Sequence, residues 1–353
     1  MLSPETLAEG QHVMTVCNAC RYCEAYCPVF QAMENRTSFA KSDMLYLANL
    51  CHNCGECLYA CQYAPPHEFG INVPRVLAET RVASYEEFCW PSLMRPAFRP
   101  AATMLGPIAG SLILAWILWQ VVPSPLRPLG DFYEVIPHDD MVTIFGAAGA
   151  YVVVALLVGL VRAKRSFGAP ASAAFNRTAW GDVLSLRHLH GTGTDCTSAI
   201  ERRAPWRRYF HHCTFYGFAL CFASTTVAAI YHVVFGWRAP YAYTSVPVVL
   251  GTAGGLGLMV GPVGQLAQRM RRDAQLGDPE QRALDVSFIV MLLLTSATGL
   301  LLLVLRARQA MPTLLVVHLG FVLGLFFTLP YGKFVHGLYR VAALLKFSTE
   351  AHR

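Results

Sequence analysis

Residues 17–28 read CNACRYCEAYCP and residues 51–61 read CHNCGECLYAC. Each run spaces four cysteines as C-x2-C-x2-C-x3-C, and a proline, Pro28, follows the first run. This is the bacterial spacing for paired iron–sulfur clusters. Its logic is geometric. Three closely spaced thiolates wrap one face of a cubane, and the backbone between them turns its amides toward the sulfides. The fourth cysteine opens a helix and reaches across to the other cubane. The expected ligand sets are therefore Cys17, Cys20, Cys23 and Cys61 for one [4Fe–4S] cluster, and Cys51, Cys54, Cys57 and Cys27 for the second. Zinc sites use paired CxxC knuckles rather than four-cysteine runs. One departure from the pattern is Gln62, which stands where a proline would follow Cys61. Cys89, Cys196, Cys213 and Cys221 have no such spacing and read as small buried residues.

The rest of the chain has a different character. Of 353 residues, 54% are hydrophobic and 14% are charged, against roughly 25% charged in a soluble domain. The deficit points to membrane spans of about 20 apolar residues each. Six stretches qualify: Ala101–Val122, Met141–Val161, Phe210–Phe235, Ser245–Leu266, Asp285–Leu305 and Met311–Lys333. The fourth is glycine-rich. Its GTAGGLG run lies inside a span rather than after a strand, so it reads as helix packing and not as a dinucleotide fingerprint. Before the first span, WPSLMRPAFRP (residues 90–100) is punctuated by prolines and reads as a linker. The expected fold is mainly α. Residues 1–100 form a ferredoxin-like head with two [4Fe–4S] clusters, residues 101–340 a six-helix transmembrane di-haem cytochrome b-type bundle, and residues 341–353 a tail.

The net charge of +6 is modest, and no nucleic-acid partner is expected. The placement of lysine and arginine says more. The head is basic, the first connection carries Arg127 alone, and the connection from Arg162 to Tyr209 is rich in basic residues. The next has only Arg238, the one after holds Arg269, Arg271, Arg272 and Arg282, and then come Arg306 and Arg308. The tail is again basic. Alternation of many and few places both termini in the cytoplasm of a bacterial inner membrane. The opening MLSPETLAEGQHVMTVCNAC has no basic segment followed by an apolar one, so the cysteine head is expected in the reducing cytoplasm, which favours metal over disulfides. ERRAPWRRYF (residues 201–210) is a candidate docking face for a partner or for anionic lipid.

Five histidines lie in or near spans: His211, His212, His232, His318 and His336. Ionisable groups at membrane depth mark function by default, and paired imidazoles across a helix bundle hold b haem. The eighteen-residue interval from His318 to His336 is five whole helical turns, so both face the same way, with a rise of about 27 Å. That interval suits two haems, one at each membrane face. The inner would be held by His336 with His211, or second in preference His212, and the outer by His318 with His232. His12, His52, His67, His138, His188, His190 and His352 read as ordinary polar residues outside the spans, with His188 and His190 open to a role toward a quinone or a partner.

The final span, HLGFVLGLFFTLPYGKFVH, resembles the last haem-binding helix of the respiratory nitrate reductase gamma subunit. It has Pro330 twelve residues after the first histidine, His336 eighteen after it, and Lys333 three before the second. Over head and membrane part together, CHNCGECLYACQYAPPHEFGINVPR, RRYFHHCTFYGFALCFAST and PYGKFVHGLYR are similar to the tricarballylate/citrate utilisation protein B family. The resemblance implies an electron-transfer component that reoxidises a soluble FAD-dependent dehydrogenase and delivers electrons to membrane quinone through two [4Fe–4S] clusters and one or two b haems, two being favoured. The residues alone leave two other classes open: an iron–sulfur sensor or assembly factor in the membrane, and a transporter with a metal-binding head.

Overall fold

A computed structural model describes residues 2–121, 132–170, 176–189 and 206–351, and among them there is no β-strand. The head contains α1 (Pro4–Cys20), α2 (Pro28–Glu34), α3 (Lys41–Leu50), α4 (Glu56–Tyr59) and α5 (Val73–Phe88). Local chemistry fixes their ends. The Ser3 hydroxyl accepts from Thr6 N at 3.0 Å to open α1, and Asn72 Oδ1 accepts from Arg75 N at 3.1 Å to open α5. In each case one of the amide groups left unpaired at a helix start is satisfied. The proline-punctuated stretch after the head forms a 3-10 turn, Ser92–Phe98, rather than an α-helix.

The apolar part comprises α6 (Pro100–Val121), the single turn α7 (Phe132–Val135), α8 (His138–Phe167), α9 (Arg177–Ser185), α10 (Trp206–Phe235), α11 (Val246–Met270), α12 (Pro279–Leu305), α13 (Met311–Thr328) and α14 (Val335–Glu350). Five segments are long and apolar enough to cross a membrane: α8, α10, α11, α12 and the stretch Met311–Glu350 that holds α13 and α14. The expected first span corresponds to α6, in which the stretch Leu105–Gln120 is apolar among the described residues. Its Ser111 and Ala115 lie directly on Gly320 and Gly324 of α13.

The glycines of α11 pack as their sequence indicates. A Cβ at Gly254, Gly257 or Gly261 would come within 2.9 Å of α10 atoms at Gly217, Cys213 or Phe210. The two helices therefore touch backbone to backbone.

The sequence reading errs at the last span. Pro330 lacks an amide hydrogen and cannot continue a helical ladder. α13 stops at Thr328, a 3-10 turn covers Leu329–Tyr331, and α14 starts afresh at Val335. The five-turn phasing of His318 and His336 assumed an unbroken helix and does not hold.

The core of the head does not end at the head. Met14, Met33, Met44, Leu47, Leu77 and Tyr85 are fully buried. The same apolar cluster continues into Ala163 and Phe167 of α8 and into Val335, Tyr339 and Ala343 of α14. The C-terminal helix is thus part of the head. Glu350 secures it: its carboxylate accepts from Arg36 Nη2 at 2.8 Å and from the Tyr46 hydroxyl at 3.1 Å, with Lys346 Nζ at 3.4 Å. Glu350→Ala is expected to destabilise the folded protein by about 1–3 kcal/mol, the range for losing charge-assisted bonds at a part-buried site. Thermal unfolding in detergent reads it as a lowered midpoint, and proteolysis should cut α14 first.

Candidate functional site

The eight cysteines are all unpaired and fall into two groups in space. Burial pushes the Cys17 thiol up to about 12, and the next contributions come from Cys61, Cys23 and Cys20. For Cys27, after burial, the thiols that raise it are Cys54 and Cys51. For Cys57 they are Cys54, Cys51 and Cys27, and then Cys23. Like charges raise each other's pKa only at short range. The structure therefore assembles Cys17, Cys20, Cys23 and Cys61 at one place and Cys27, Cys51, Cys54 and Cys57 at another, with Cys23 and Cys57 on the facing sides.

Each element places its thiol by ordinary means. Cys27 is the residue before α2, with Pro28 at the first helical position, and the amides of Val29 and Phe30 counter part of its upward shift. Gly55, at φ 95°, turns the chain between Cys54 and α4, a conformation that suits glycine. Asn53 N donates to Cys51 Sγ at 3.3 Å. Gln62, the residue that replaces proline, turns its amide toward Cys20 Sγ at 3.9 Å.

Gathered this closely the thiols stay neutral by themselves, and their thiolate forms would be stabilised by a cationic guest. Among the described residues no three Cys, His, Asp or Glu side chains converge tightly enough for a single metal ion. Zinc would need four sulfurs at about 2.3 Å. The donor sets are all sulfur, four apiece, which fits the ligand complement of a [4Fe–4S] cage.

Toward the membrane part, a cavity of about 1650 Å³ is bounded by the head loop His52–Cys54 and by α10, α12 and α14. His211 and His336 both line it, as do Lys333 and Arg340. The two imidazole centres are 6.1 Å apart with planes at 68°. Imidazoles on opposite sides of one metal, each bonded at about 2.0 Å, have ring centres roughly 6 Å apart. The outward nitrogen is engaged in both rings. His211 Nδ1 lies 3.0 Å from Gln265 Nε2, and His336 Nδ1 lies 2.5 Å from Lys333 O. A carbonyl partner takes the Nδ1–H of His336 and leaves its Nε2 free to ligate; Gln265 does the same for His211 when its amide presents Oε1 rather than the donor Nε2.

His212 turns the other way, stacking on Tyr216 at 5.6 Å. Of the adjacent pair, His211 is the one that faces His336.

The outer histidines meet different neighbours. His232 stacks on His138 with centroids 3.5 Å apart, too close to admit a metal between them. His318 lies against α12, where Nδ1 is 3.0 Å from Thr298 Oγ1 and a Cβ at Gly299 would come within 2.8 Å of the ring. His138 was read as an ordinary polar residue outside the spans, yet it opens α8 and pairs with His232. His52, also read as ordinary, reaches the cavity.

The basic first turn of α10 is engaged by neighbouring elements. Arg207 donates to His52 O at 2.6 Å and Arg208 to Ser185 O at 2.9 Å. His188 lies near Asp182, its Nε2 3.4 Å from Oδ2. Of the remaining cysteines Cys89 is buried, while Cys213 and Cys221 are partly exposed. Cys196, His190, His352, Arg127 and residues 201–205 lie outside the described residues.

Asp285, at the start of a span, is 3% exposed and is paired with both Arg269 and Lys333, the latter at 2.7 Å. Asp285→Ala would leave two cations without their buried partner. A destabilisation of about 3–5 kcal/mol is expected, read as loss of the folded, monodisperse protein on size exclusion at a temperature the parent withstands.

Fold and site together define a class: a helical protein with several membrane-length helices and an iron–sulfur type head packed against them. The family description "Citrate utilization protein B Fer4-like domain" matches residues 10–87, and "Citrate utilization protein B" matches residues 95–353. A curated "Citrate utilization protein B" from Escherichia coli is 48% identical over 358 residues, covering 99% of this chain and 94% of the relative. The chain belongs to the citrate utilization protein B family. No solved structure matches it.

Proposed function

We propose that this chain is a membrane electron-transfer subunit of citrate or tricarballylate utilisation, carrying electrons from a soluble FAD-dependent dehydrogenase to the quinone pool. The observation that carries the reading is one shared cavity: Cys54 of the second thiol set lines the same space as His211 and His336. When bound, two [4Fe–4S] clusters and a b haem supply single-electron steps between a two-electron flavin and a two-electron quinone.

The chain's own residues do the rest. Two sets of four thiolates hold the clusters on the head. His211 and His336 hold the haem from α10 and α14, with Gln265 and the Lys333 carbonyl orienting their rings. Lys333 and Arg340 offer cations to the haem propionates. The histidine geometry supports one haem, at the inner pair.

Glu350 on α14 bonds to Arg36 of the head, so the chain returns to the side on which it starts. An even number of crossings follows, which supports counting α6 as the sixth span with both ends on one side, and the basic connections make that side the cytoplasm.

Anaerobically purified protein should give reduced-minus-oxidised bands of a bis-imidazole b haem, and about eight non-haem irons per chain as two cubanes require. With a reduced flavoprotein dehydrogenase as donor it should reduce a quinone analogue continuously. Iron without haem or quinone turnover would favour a membrane-bound iron–sulfur sensor instead.

A further inference from the structure

The two thiol sets sit at different depths. Every residue from 51 to 61 is buried or half-buried. Other parts of the chain close over that loop. Arg81 of α5 and Arg340 of α14 donate to Cys51 O at 2.9 and 2.8 Å, and Arg207 of α10 donates to His52 O at 2.6 Å. Arg272, just past α11, reaches Asn53 Oδ1 at 3.1 Å. Leu276 covers Gly55, where a Cβ would meet its side chain at 2.8 Å. Cys27, the fourth member of this set, stands between buried Tyr26 and buried Pro28. The cavity beside the set is bounded by Asp182 of α9, Arg208 of α10 and Phe347 of α14.

The other set comes to the surface. From residue 19 to residue 25, every residue except Cys20 and Cys23 is exposed. On the loop after Cys61, Gln62, Pro65, Pro66, Glu68, Phe69 and Gly70 are exposed. The two loops meet at the thiols. Gln62 Nε2 lies 3.9 Å from Cys20 Sγ, and the backbone amides of Tyr63 and Ala64 hydrogen-bond to Cys61.

The exposed large apolar side chains of the head lie on the same two loops. Among residues 2–91 they are Tyr22, 60% exposed, and Phe69, 45% exposed. Phe69 is held by its own loop, with its ring 5.5 Å from Tyr63 and 4.9 Å from His67. A single exposed apolar residue needs no explanation. Two aromatic ones, each on a loop that supplies ligands to one set, mark a face. Aromatic anchors within a polar rim carry protein–protein contacts. Exposed Arg21, Glu24 and Glu68 supply that rim with both signs of charge.

We propose that residues 21–25 and 62–70 form the docking face for the soluble FAD-dependent dehydrogenase, with Tyr22 and Phe69 as its anchors. This rests on the electron-transfer reading above and adds where the donor binds. A donor seated there stands over the set of Cys17, Cys20, Cys23 and Cys61, whereas α5, α10, α14 and the connection after α11 keep it from the other set. The donor's FADH2 gives up two electrons and two protons and becomes FAD. The electrons enter singly at the surface set, which is reduced, and the protons pass to water. Each electron moves on to the set of Cys27, Cys51, Cys54 and Cys57 before the next arrives, with no bond formed or broken in this chain.

The test is steady-state quinone reduction by the full-length protein in detergent, with a tricarballylate-oxidising FAD dehydrogenase as the donor and its concentration varied. Tyr22→Ala and Phe69→Ala are each expected to raise the donor concentration for half-maximal rate by about tenfold or more, as loss of an interface anchor does. Dithionite should still reduce both clusters and the haem as in the parent, and the EPR signals of both clusters should be unchanged. Leu93→Ala is the control. Leu93 is 84% exposed in the turn before α6, and its loss should leave the half-maximal concentration at the parent value. A concentration that stays put in both anchor variants, or that moves as far in Leu93→Ala, would overturn the proposal. So would a parent dimer on size exclusion that Phe69→Ala dissolves, because the face would then belong to a second copy. If Tyr22→Ala loses iron, Phe69→Ala carries the test from the other loop. A parent that draws no electrons from the reduced dehydrogenase would overturn the electron-transfer reading itself, and that result is visible before any variant is made.

Discussion

Cys54→Ala is expected to disconnect the head from the membrane part while leaving both folded. Cys54 is the thiol of the second set that faces the cavity, so its loss removes one sulfur ligand from the cluster nearest the histidine pair. Non-haem iron should fall below the roughly eight of two intact cubanes. One set of EPR signals should be lost or altered and the other kept, because Cys17, Cys20, Cys23 and Cys61 share no ligand with it. Quinone reduction driven by a flavoprotein donor should fall by more than about 100-fold, since mutating groups that merely orient a metal ligand already costs about 10–100-fold. Dithionite, a small reductant that needs no docking on the head, should still reduce the haem. That contrast separates a broken wire from a misfolded protein. Unchanged quinone reduction would remove the second cluster from the path.

The legible parts of this protein are those set by short sequence intervals. Cysteines three and four residues apart constrain one another directly, so the two runs mark eight candidate ligands in the sequence itself. The packing of α11 on α10 is similarly local, because glycines recurring on one helix face admit another backbone. The identity of the inner pair was half-visible: His211 and His212 point about 100° apart on a helix, and only the seating of α10 against α14 decides that His211 faces His336. The break after Thr328 had a signal in Pro330, but counting turns through it hid the consequence. Least legible were the arginines. Arg207, Arg272 and Arg340 look in sequence like the basic residues that flank cytoplasmic span ends. Arg81 looks like a surface charge on an amphipathic helix. Their convergence on Cys51–Asn53 depends on the docking of four elements far apart along the chain, which no interval records. The same holds for the expectation that residues 341–353 form a tail, when Ala342, Ala343 and Leu344 are in fact buried core.

His336→Ala and His211→Ala should each abolish b-type haem absorbance while leaving the iron–sulfur content at the parent level. Each ring has a different neighbour at Nδ1, Lys333 O for His336 and the Gln265 amide for His211. With centres 6.1 Å apart neither can be replaced by its neighbour, because His212 is committed to Tyr216 on the other side of α10. His212→Ala is therefore expected to retain the haem, and so are His232→Ala and His318→Ala if one haem is bound at the inner pair. Gln265→Leu is the graded case. It keeps both ligands but frees the His211 ring, and haem affinity should fall by about 10–100-fold, the usual cost of losing such a partner. Pyridine haemochrome counts on purified protein decide each variant. Loss of half the haem in His318→Ala or His232→Ala would show a second site at the outer level. Full haem retention in both His211→Ala and His336→Ala would remove the cavity from the electron path and leave the head without a receiver.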